Sequence, residues 1–292
     1  MQIIGHNKII KYLDKAIAKD MISQAYLFSG PAHLGKFTLA LEFAKKITGG
    51  LDRKINPDII IISPETEEKN GNVKKKDIKI EKIRELEHEL SLTAYFGKHK
   101  VVIIDEAQHL TISSQNALLK TLEEPPQKAV IILIAENPNK IISTIKSRCV
   151  IKKFSLVKKS EIDAIISSKN NAEDIGFLSL SRPGLAINLS KDRGELEKRQ
   201  KAREDLKKMF EMNLSEKFSF CEELSKNVPE MIEKLNFWLA LLRKNILENC
   251  KIFNLDQKKS LALILNIEKS LKILNETNSN SKLVMENLAL EI

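Results

Sequence analysis

The chain has 292 residues, a formal net charge of +9 and an apolar fraction of 42%, which predict two or three globular domains rather than extended disorder. Its longest apolar runs are far shorter than the ~20 residues that cross a bilayer, and no apolar secretion signal follows Met1. Three isolated cysteines, Cys149, Cys221 and Cys250, exclude a disulfide framework and a zinc knuckle, so we expect a cytoplasmic protein.

The first half of the chain alternates helical and strand-like patterns. Apolar residues recur at helical spacing between Ile10 and Ile17, the run from Ala25 to Ser29 predicts a strand, and residues 37–47 are helical again. Continuous apolar runs are typical of strands buried on both faces of a parallel sheet, and they occupy 58–62, 101–104 and 130–134. With helices predicted at 80–92 and 113–124, this alternation indicates an α/β domain with a doubly wound, mostly parallel sheet.

Residues 63–78 are polar and charged, with Asn70-Gly71 as a predicted turn and Lys74, Lys75 and Lys76 as a basic run. The segment is interpreted as a surface hairpin or loop. A solvated loop is favoured over a DNA contact for these lysines.

Beyond Phe154 the strand patterns stop. Residues 155–190 predict a few short helices, broken near 170–171 and at 182–184, and the chain is helical from about Gly194 onward. Met231, Leu235, Trp238 and Leu242 fall on one helical stripe, which predicts core or interface packing rather than a cofactor site.

A phosphate-binding loop is indicated directly after the strand that ends at Ser29. Gly30, Gly35 and Lys36 have the spacing of a P-loop, in which backbone N–H groups wrap a phosphate and lysine neutralises it. The next position needs a hydroxyl that coordinates Mg²⁺, but it holds Phe37, and Thr38 is rotated by about 100° on the following helix. Nucleotide binding without metal-assisted hydrolysis is therefore expected, and a loop that merely turns the chain is the alternative.

Asp105 and Glu106 follow the apolar run 101–104. An aspartate at the carboxyl edge of a parallel strand can hold a metal-bound water, and the glutamate after it can orient an attacking water. Ordinary helix N-capping is the alternative, but the P-loop upstream favours a nucleotide site.

Three segments together make the sequence recognisable. Residues 105–110 (Asp-Glu-Ala-Gln-His-Leu), 115–126 (Gln-Asn-Ala-Leu-Leu-Lys-Thr-Leu-Glu-Glu-Pro-Pro) and 144–149 (Thr-Ile-Lys-Ser-Arg-Cys) resemble the AAA+ clamp-loader family, and within it the delta prime branch of bacterial DNA polymerase III. Weaker similarity covers nearly the full length of the chain.

This resemblance implies an AAA+ domain at 1–155, a helical lid at 156–200 and a helical collar at 201–292. Members of the family form a hetero-pentameric ring that uses ATP to place a sliding clamp on primer-template DNA during replication. The implied partners are gamma/tau ATPase subunits, a delta subunit and, through the complex, the clamp and DNA. The resemblance also implies that Arg148 acts as an arginine finger in the ATP site of a neighbouring subunit, with a surface salt bridge as the alternative.

Several departures from the motor subunits point to a subunit that does not hydrolyse ATP. Residues 39–100 contain no cysteine, so no structural zinc is expected, and no cofactor is required. Residues 135–137 replace a threonine-rich sensor run, and the segment 181–186 has no arginine at the position where the motor subunits place their sensor. ATP or ADP binding without hydrolysis stays open, as does the competing hypothesis of an active gamma/tau-type ATPase.

The basic excess is interpreted as general compatibility with a DNA-handling machine, which leaves Arg148 as the cation of interest.

Overall fold

The structure is a computed structural model that describes residues 3–49, 56–69, 72–96, 98–126, 128–167, 169–247, 256–277 and 279–292. The chain forms two compact units, the first comprising Met1–Ile165 and Ser181–Leu185, and the second comprising Ile166–Leu180 and Ala186–Ile292.

The first unit is an α/β domain. Its strands are β1 (Ala25–Ser29), β2 (Ile59–Ile62), β3 (Thr66–Lys69), β4 (Asn72–Lys75), β5 (Lys100–Ile104), β6 (Ala129–Ala135) and β7 (Val150–Lys153). Its helices are α1 (Asn7–Ala18), α2 (Lys36–Thr48), α3 (Ile80–Ser91), α4 (Ile112–Glu123), α5 (Ser143–Lys146) and α6 (Lys159–Ile166), with 3₁₀ turns at Ala107–His109 and Pro138–Lys140. The predicted helices and strands of this half are confirmed, and β7 is an additional strand.

Five parallel strands form one sheet in the order β2-β5-β6-β1-β7. The central strands β1, β5 and β6 are buried along their whole length, as their continuous apolar sequences predict. The same prediction is wrong for β2, because this strand lies at the edge of the sheet and Ile61 is 48% exposed. An apolar run therefore marks the strand but not its position in the sheet.

The sheet has an apolar core on each face because successive side chains of a strand point to opposite sides. On β5, Val102 and Ile104 pack with α3 and α4 residues such as Leu86 and Leu118. Val101 and Ile103 pack on the opposite face with α1 and α2 residues, including Leu13 and Phe43. Each fully buried side chain of this size contributes roughly 1.5–3 kcal/mol through the hydrophobic effect. These two cores hold the carboxyl ends of the strands in fixed positions.

The polar segment between β2 and α3 contains the antiparallel hairpin β3–β4, in which Thr66 pairs with Lys75. This confirms a hairpin within residues 63–78. The predicted turn at Asn70-Gly71 lies outside the described residues.

The second unit is helical in its described residues. The helices that follow α6 are α7 (Ala172–Leu178), α8 (Pro183–Lys191), α9 (Arg193–Glu211), α10 (Leu214–Ser225), α11 (Val228–Leu247), α12 (Gln257–Glu276) and α13 (Ser281–Glu291). Trp238 is fully buried and donates a hydrogen bond from its indole Nε1 to the carbonyl oxygen of Ala202, 2.7 Å away. Met231, Leu235 and Leu242 are equally buried, which confirms the predicted stripe as core packing. No helix in the described parts of the chain is long and apolar enough to cross a membrane.

Candidate functional site

The predicted phosphate loop begins where β1 ends, at the carboxyl edge of the sheet. Gly30 has φ +143°, and a Cβ added there would lie 2.3 Å from the carbonyl oxygen of Phe154. Phe154 approaches so closely because its N–H donates to the carbonyl oxygen of Ser29, 2.7 Å away. Only glycine fits at position 30, so the first glycine of the motif is required by packing as well as by the turn.

Lys36 is folded back onto the loop that it follows. Its ammonium donates to the carbonyl oxygens of Gly30 and Pro31, at 2.6 and 2.5 Å, and the residue is 6% exposed. Burial lowers the pKa of Lys36, and the nearby negative charges of Glu136 and Asp105 act in the opposite direction. The ammonium of Lys36 was expected to face a phosphate, but it donates hydrogen bonds to the carbonyl groups of its own loop.

The position after Lys36 does not offer a metal ligand. Phe37 is partly buried and packs against the core on the α1–α2 face of the sheet. A benzyl group has no oxygen for Mg²⁺, which takes oxygen ligands. Thr38 is also partly buried, one residue further along α2. The residues present therefore do not fit the magnesium ion of an active P-loop site.

Asp105 and Glu106 lie at the carboxyl end of β5, two strands from β1 in the sheet. Burial raises the pKa of Asp105, whereas the hydrogen bond that its carboxylate accepts from the Glu106 N–H, at 3.0 Å, lowers it. The Lys36 charge lowers the pKa of Asp105, and the Asp105 charge raises the pKa of Lys36, so the two groups lie close enough to influence each other.

Glu106 is held by a lysine that sequence reasoning did not assign to the site. The ammonium of Lys75, at the end of β4, donates to both carboxylate oxygens of Glu106, each at 2.5 Å. Glu106 adopts a left-handed backbone with φ 50° and makes no side-chain capping bond to the 3₁₀ turn that follows. The alternative of ordinary N-capping is therefore wrong for Glu106. The basic run was the available signal for Lys75, but a sequence cannot show which lysine of a hairpin reaches the sheet.

The loop is also covered by Gly184, at the start of α8. Its N–H donates to the carbonyl oxygen of His33, 2.9 Å away, and an added Cβ would lie 2.8 Å from that oxygen. A larger residue at position 184 would therefore displace the loop. This close approach places Gly184 at the phosphate loop.

The sensor strand β6 ends beside the same loop. The Gly30 N–H donates to the carbonyl oxygen of Ala135, and the Glu136 N–H donates to the side-chain oxygen of Gln108, 3.1 Å away. The side chain of Asn137 accepts from the Asn139 N–H and caps a 3₁₀ turn. Residues 135–137 therefore link β6 to the phosphate loop and to the turn after β5.

Arg148 lies at the opposite edge of the sheet. It precedes Val150, the first residue of β7, which pairs with Tyr26 near the start of β1, whereas the phosphate loop follows the end of β1. The guanidinium donates to the Glu123 carboxylate at 2.6 Å and to the Thr144 carbonyl oxygen at 2.9 Å, with the side chain 35% exposed. The surface salt bridge considered as an alternative is therefore present. Arg148 cannot serve the phosphate loop of its own chain from this edge.

The described part of the chain offers neither a metal-binding cluster nor a reactive thiol. No three His, Cys, Asp or Glu side chains come together there in a group that could hold a metal ion. Burial raises the pKa of Cys149 to about 12, so the thiol next to Arg148 is protonated at neutral pH and is not a nucleophile.

Comparison with known proteins agrees with the motifs. Residues 5–158, slightly more than half of the chain, match the family model described as DNA polymerase III, delta subunit. The chain is 33% identical over 201 residues to the DNA polymerase III subunit tau of Bacillus subtilis, a match that covers 63% of this chain and 33% of that protein. It is 32% identical over 171 residues to the subunit delta' of the same organism, covering 53% of this chain and 49% of that one.

These matches thus span a third to a half of the length of the curated relatives. Among solved structures, a DNA polymerase III gamma subunit-related protein from Thermotoga maritima superposes with a TM-score of 0.55. The superposition covers 95% of this chain and 97% of that one at 20% identity, which shows that the fold is shared.

Proposed function

Because the chain belongs to the DNA polymerase III delta subunit family of AAA+ clamp-loader proteins, we propose that it is a subunit of the delta prime type. In this proposal it joins gamma/tau ATPase and delta subunits in a cytoplasmic hetero-pentamer that loads the sliding clamp on primer-template DNA during replication. Residues 1–155 act as the AAA+ domain, 156–200 as the lid and 201–292 as the collar that joins the ring.

The chain itself does not hydrolyse ATP in this proposal. Three contacts support this part: Phe37 takes the place of the magnesium ligand, Lys36 binds the carbonyl groups of its own loop, and Lys75 holds Glu106. Each removes one requirement of hydrolysis, namely the metal, the cation on the outer phosphates and the carboxylate that orients water. Any ATP or ADP on the loop is a bound ligand that is not turned over.

The observation that carries the proposal is the position of Arg148 at the sheet edge remote from its own phosphate loop. From this exposed edge its guanidinium reaches a nucleotide only if another subunit presents one. Arginine is suited to this task because its charge is permanent and its planar fork matches phosphate oxygens. Glu123 holds the guanidinium at the surface until the neighbouring site approaches.

The test compares Arg148→Ala with wild type in the reconstituted complex, measuring DNA-stimulated ATP turnover. Arginine fingers contribute roughly 10³–10⁵ in rate at the site they serve. We therefore expect the Ala variant to lose nearly all ATP turnover at the one neighbouring site. The total turnover of the complex should fall by the fraction that this site contributes.

The matched control is Glu123→Ala, which breaks the same salt bridge but keeps the arginine. If the salt bridge is purely structural, both variants should behave alike. Each should lose at most about 1 kcal/mol of unfolding free energy, because the pair is exposed, and ATP turnover should be unchanged. That result would contradict the proposed role of Arg148 as an arginine finger. A retained rate in Glu123→Ala together with a lost rate in Arg148→Ala would support it.

The second candidate is an active ATPase of the gamma/tau type. It is favoured by the tau relative and by the intact Gly30, Gly35, Lys36 and Asp105 set. The purified chain discriminates between the two: Mg²⁺-dependent ATP turnover at ordinary motor rates would replace our proposal with this one.

A further inference from the structure

Helix α1 and its C-cap residue, Lys19, carry a row of lysines on one face. Lys8, Lys11, Lys15 and Lys19 are all exposed and are spaced three, four and four residues apart. At 100° per residue they fall within an arc of about 80°, on a different side of the helix from the buried Ile9, Leu13 and Ala16. We call these four residues the α1 lysine stripe.

The acids nearest to this stripe along the chain are Asp14 and the exposed Asp20, which directly follows Lys19. Asp14 lies on another side of α1, and its carboxylate is bound by the Lys46 ammonium at 2.7 Å. No ion pair within the described residues involves the four stripe lysines. The stripe therefore presents four adjacent positive charges to solvent.

Other charged helices of this chain are arranged differently. On α9, Arg193 pairs with Glu197, Lys198 with Glu233 and Arg199 with Glu195. Basic residues on a helix that only needs to be solvated can thus be matched with acids in this protein. On the stripe no lysine is paired within the described part of the chain, whereas α9 combines paired basic residues with exposed lysines such as Lys201 that form no ion pair there.

The stripe continues onto the edge of the sheet. Tyr12 lies within the same exposed surface, and the ammonium of Lys152 on β7 sits 3.0 Å from the centre of its ring. This contact adds a fifth cation beside the stripe and fixes the tyrosine ring between α1 and β7.

The dimensions of the stripe suit a regularly charged polymer. From Lys8 to Lys19 it is about 16 Å long at 1.5 Å per residue. A nucleic-acid backbone carries one negative charge per nucleotide, so a row of this length can face several phosphates. A row of unpaired lysines provides non-specific phosphate contacts, which do not read sequence.

We propose that the α1 lysine stripe is a binding surface for the phosphodiester backbone of nucleic acid. The inference goes beyond the proposed clamp-loader role, because it requires no partner subunit and assigns direct nucleic-acid contact to this chain. It is also independent of the phosphate loop and of Arg148, so either proposal can fail without the other.

The experiment measures binding of the full chain to a labelled single strand and to a labelled duplex by fluorescence anisotropy at several salt concentrations. The variant replaces Lys8, Lys11, Lys15 and Lys19 with Gln. Loss of four phosphate contacts should lower affinity for duplex by roughly tenfold or more and reduce the salt slope by about 3.6. Changing the same four residues to Arg should preserve binding and its salt slope.

The matched control removes the same charge elsewhere, by changing the exposed Lys201, Lys207, Lys208 and Lys258 to Gln. Equal losses in the two Gln variants would mean that only net charge matters and would overturn the proposal. Undetectable binding by wild type at low salt would do the same. Stripe-dependent binding to poly-glutamate or to phosphatidylserine vesicles, with none to DNA, would assign the surface to a different partner and also overturn it.

Discussion

The backbone N–H of Gly184 donates to the carbonyl oxygen of His33 across 2.9 Å, so a residue distant in sequence closes directly over the phosphate loop. The contact leaves no room for a side chain at position 184, because a Cβ there would lie 2.8 Å from the His33 oxygen. Any side chain at this position would therefore require the loop to change its present conformation.

The first prediction is that Gly184→Ala destabilises the protein by about 1–3 kcal/mol, because the loop backbone must shift to admit the methyl group. Equilibrium urea denaturation measures the loss. The matched control is Gly194→Ala on α9, where the nearest atom to an added Cβ is the Asp192 side-chain oxygen at 3.4 Å. This control should be neutral or gain up to about 1 kcal/mol, since alanine restricts the unfolded chain. Equal stability of the two variants would refute the steric account.

A second prediction concerns Phe37→Thr, which restores the hydroxyl of an ordinary P-loop. We expect the free energy of unfolding to fall by about 1–3 kcal/mol, because the Phe37 ring packs against the core on the α1–α2 face. We expect no gain in ATP turnover, because Lys75 still holds Glu106 and the loop carbonyl groups still hold Lys36. Phe37→Leu is the control that keeps apolar packing and adds no hydroxyl. Turnover that appears only in the Thr variant would show that the missing magnesium ligand was the sole defect.

The third prediction is a pH dependence at Asp105, whose pKa is raised by burial. A carboxyl group that holds its proton more tightly in the native state stabilises the fold below the unfolded pKa of 3.8. That stabilisation is lost as the pH rises through the native pKa. Asp105→Asn removes this dependence and keeps an oxygen that accepts the Glu106 N–H bond.

The stability of Asp105→Asn relative to wild type should therefore be higher at about pH 7 than at about pH 4. Urea denaturation at both pH values gives the difference. Asp20→Asn, at an exposed position, serves as the control. A constant difference for Asp105→Asn across this range would contradict the burial-driven pKa shift.

The fourth prediction is that the two described cysteines resist alkylation. Burial raises the pKa of Cys149 to about 12 and that of Cys221 to about 11, so their thiolate forms are scarce near neutral pH. Iodoacetamide should modify both slowly in the native protein and rapidly in urea, as measured by peptide mass spectrometry. Rapid modification of native Cys149 would show that Arg148 activates its neighbour.

Sequence reasoning located the strands around the site because their apolar runs are continuous, as is typical of strands buried on both faces of a parallel sheet. It placed β1, β5 and β6 and the residues that follow them, Gly30 and Asp105, since the carboxyl ends of parallel strands meet at one edge. It could not find the contacts that modify the site. The Lys75–Glu106 pair, the Gly184–His33 bond and the exposure of Ile61 depend on which distant segments meet, and local periodicity carries no information on this.

The same limit applies to the lysines of α1. Their spacing is readable in the sequence, but their isolation depends on Lys46 binding Asp14 from another helix. Only the structure shows that one acid of the helix is already neutralised. The positions of the lysines that form no ion pair are thus more informative than the net charge of +9.

The burial of Trp238 has a practical consequence for spectroscopy. It is the single tryptophan of the chain and belongs to the helical second unit, whereas all three tyrosines, Tyr12, Tyr26 and Tyr95, belong to the first. Emission excited at the red edge of the indole band therefore reports the second unit alone. Tyrosine signals report the first, so the chain carries separate intrinsic optical probes for its two halves without any introduced label.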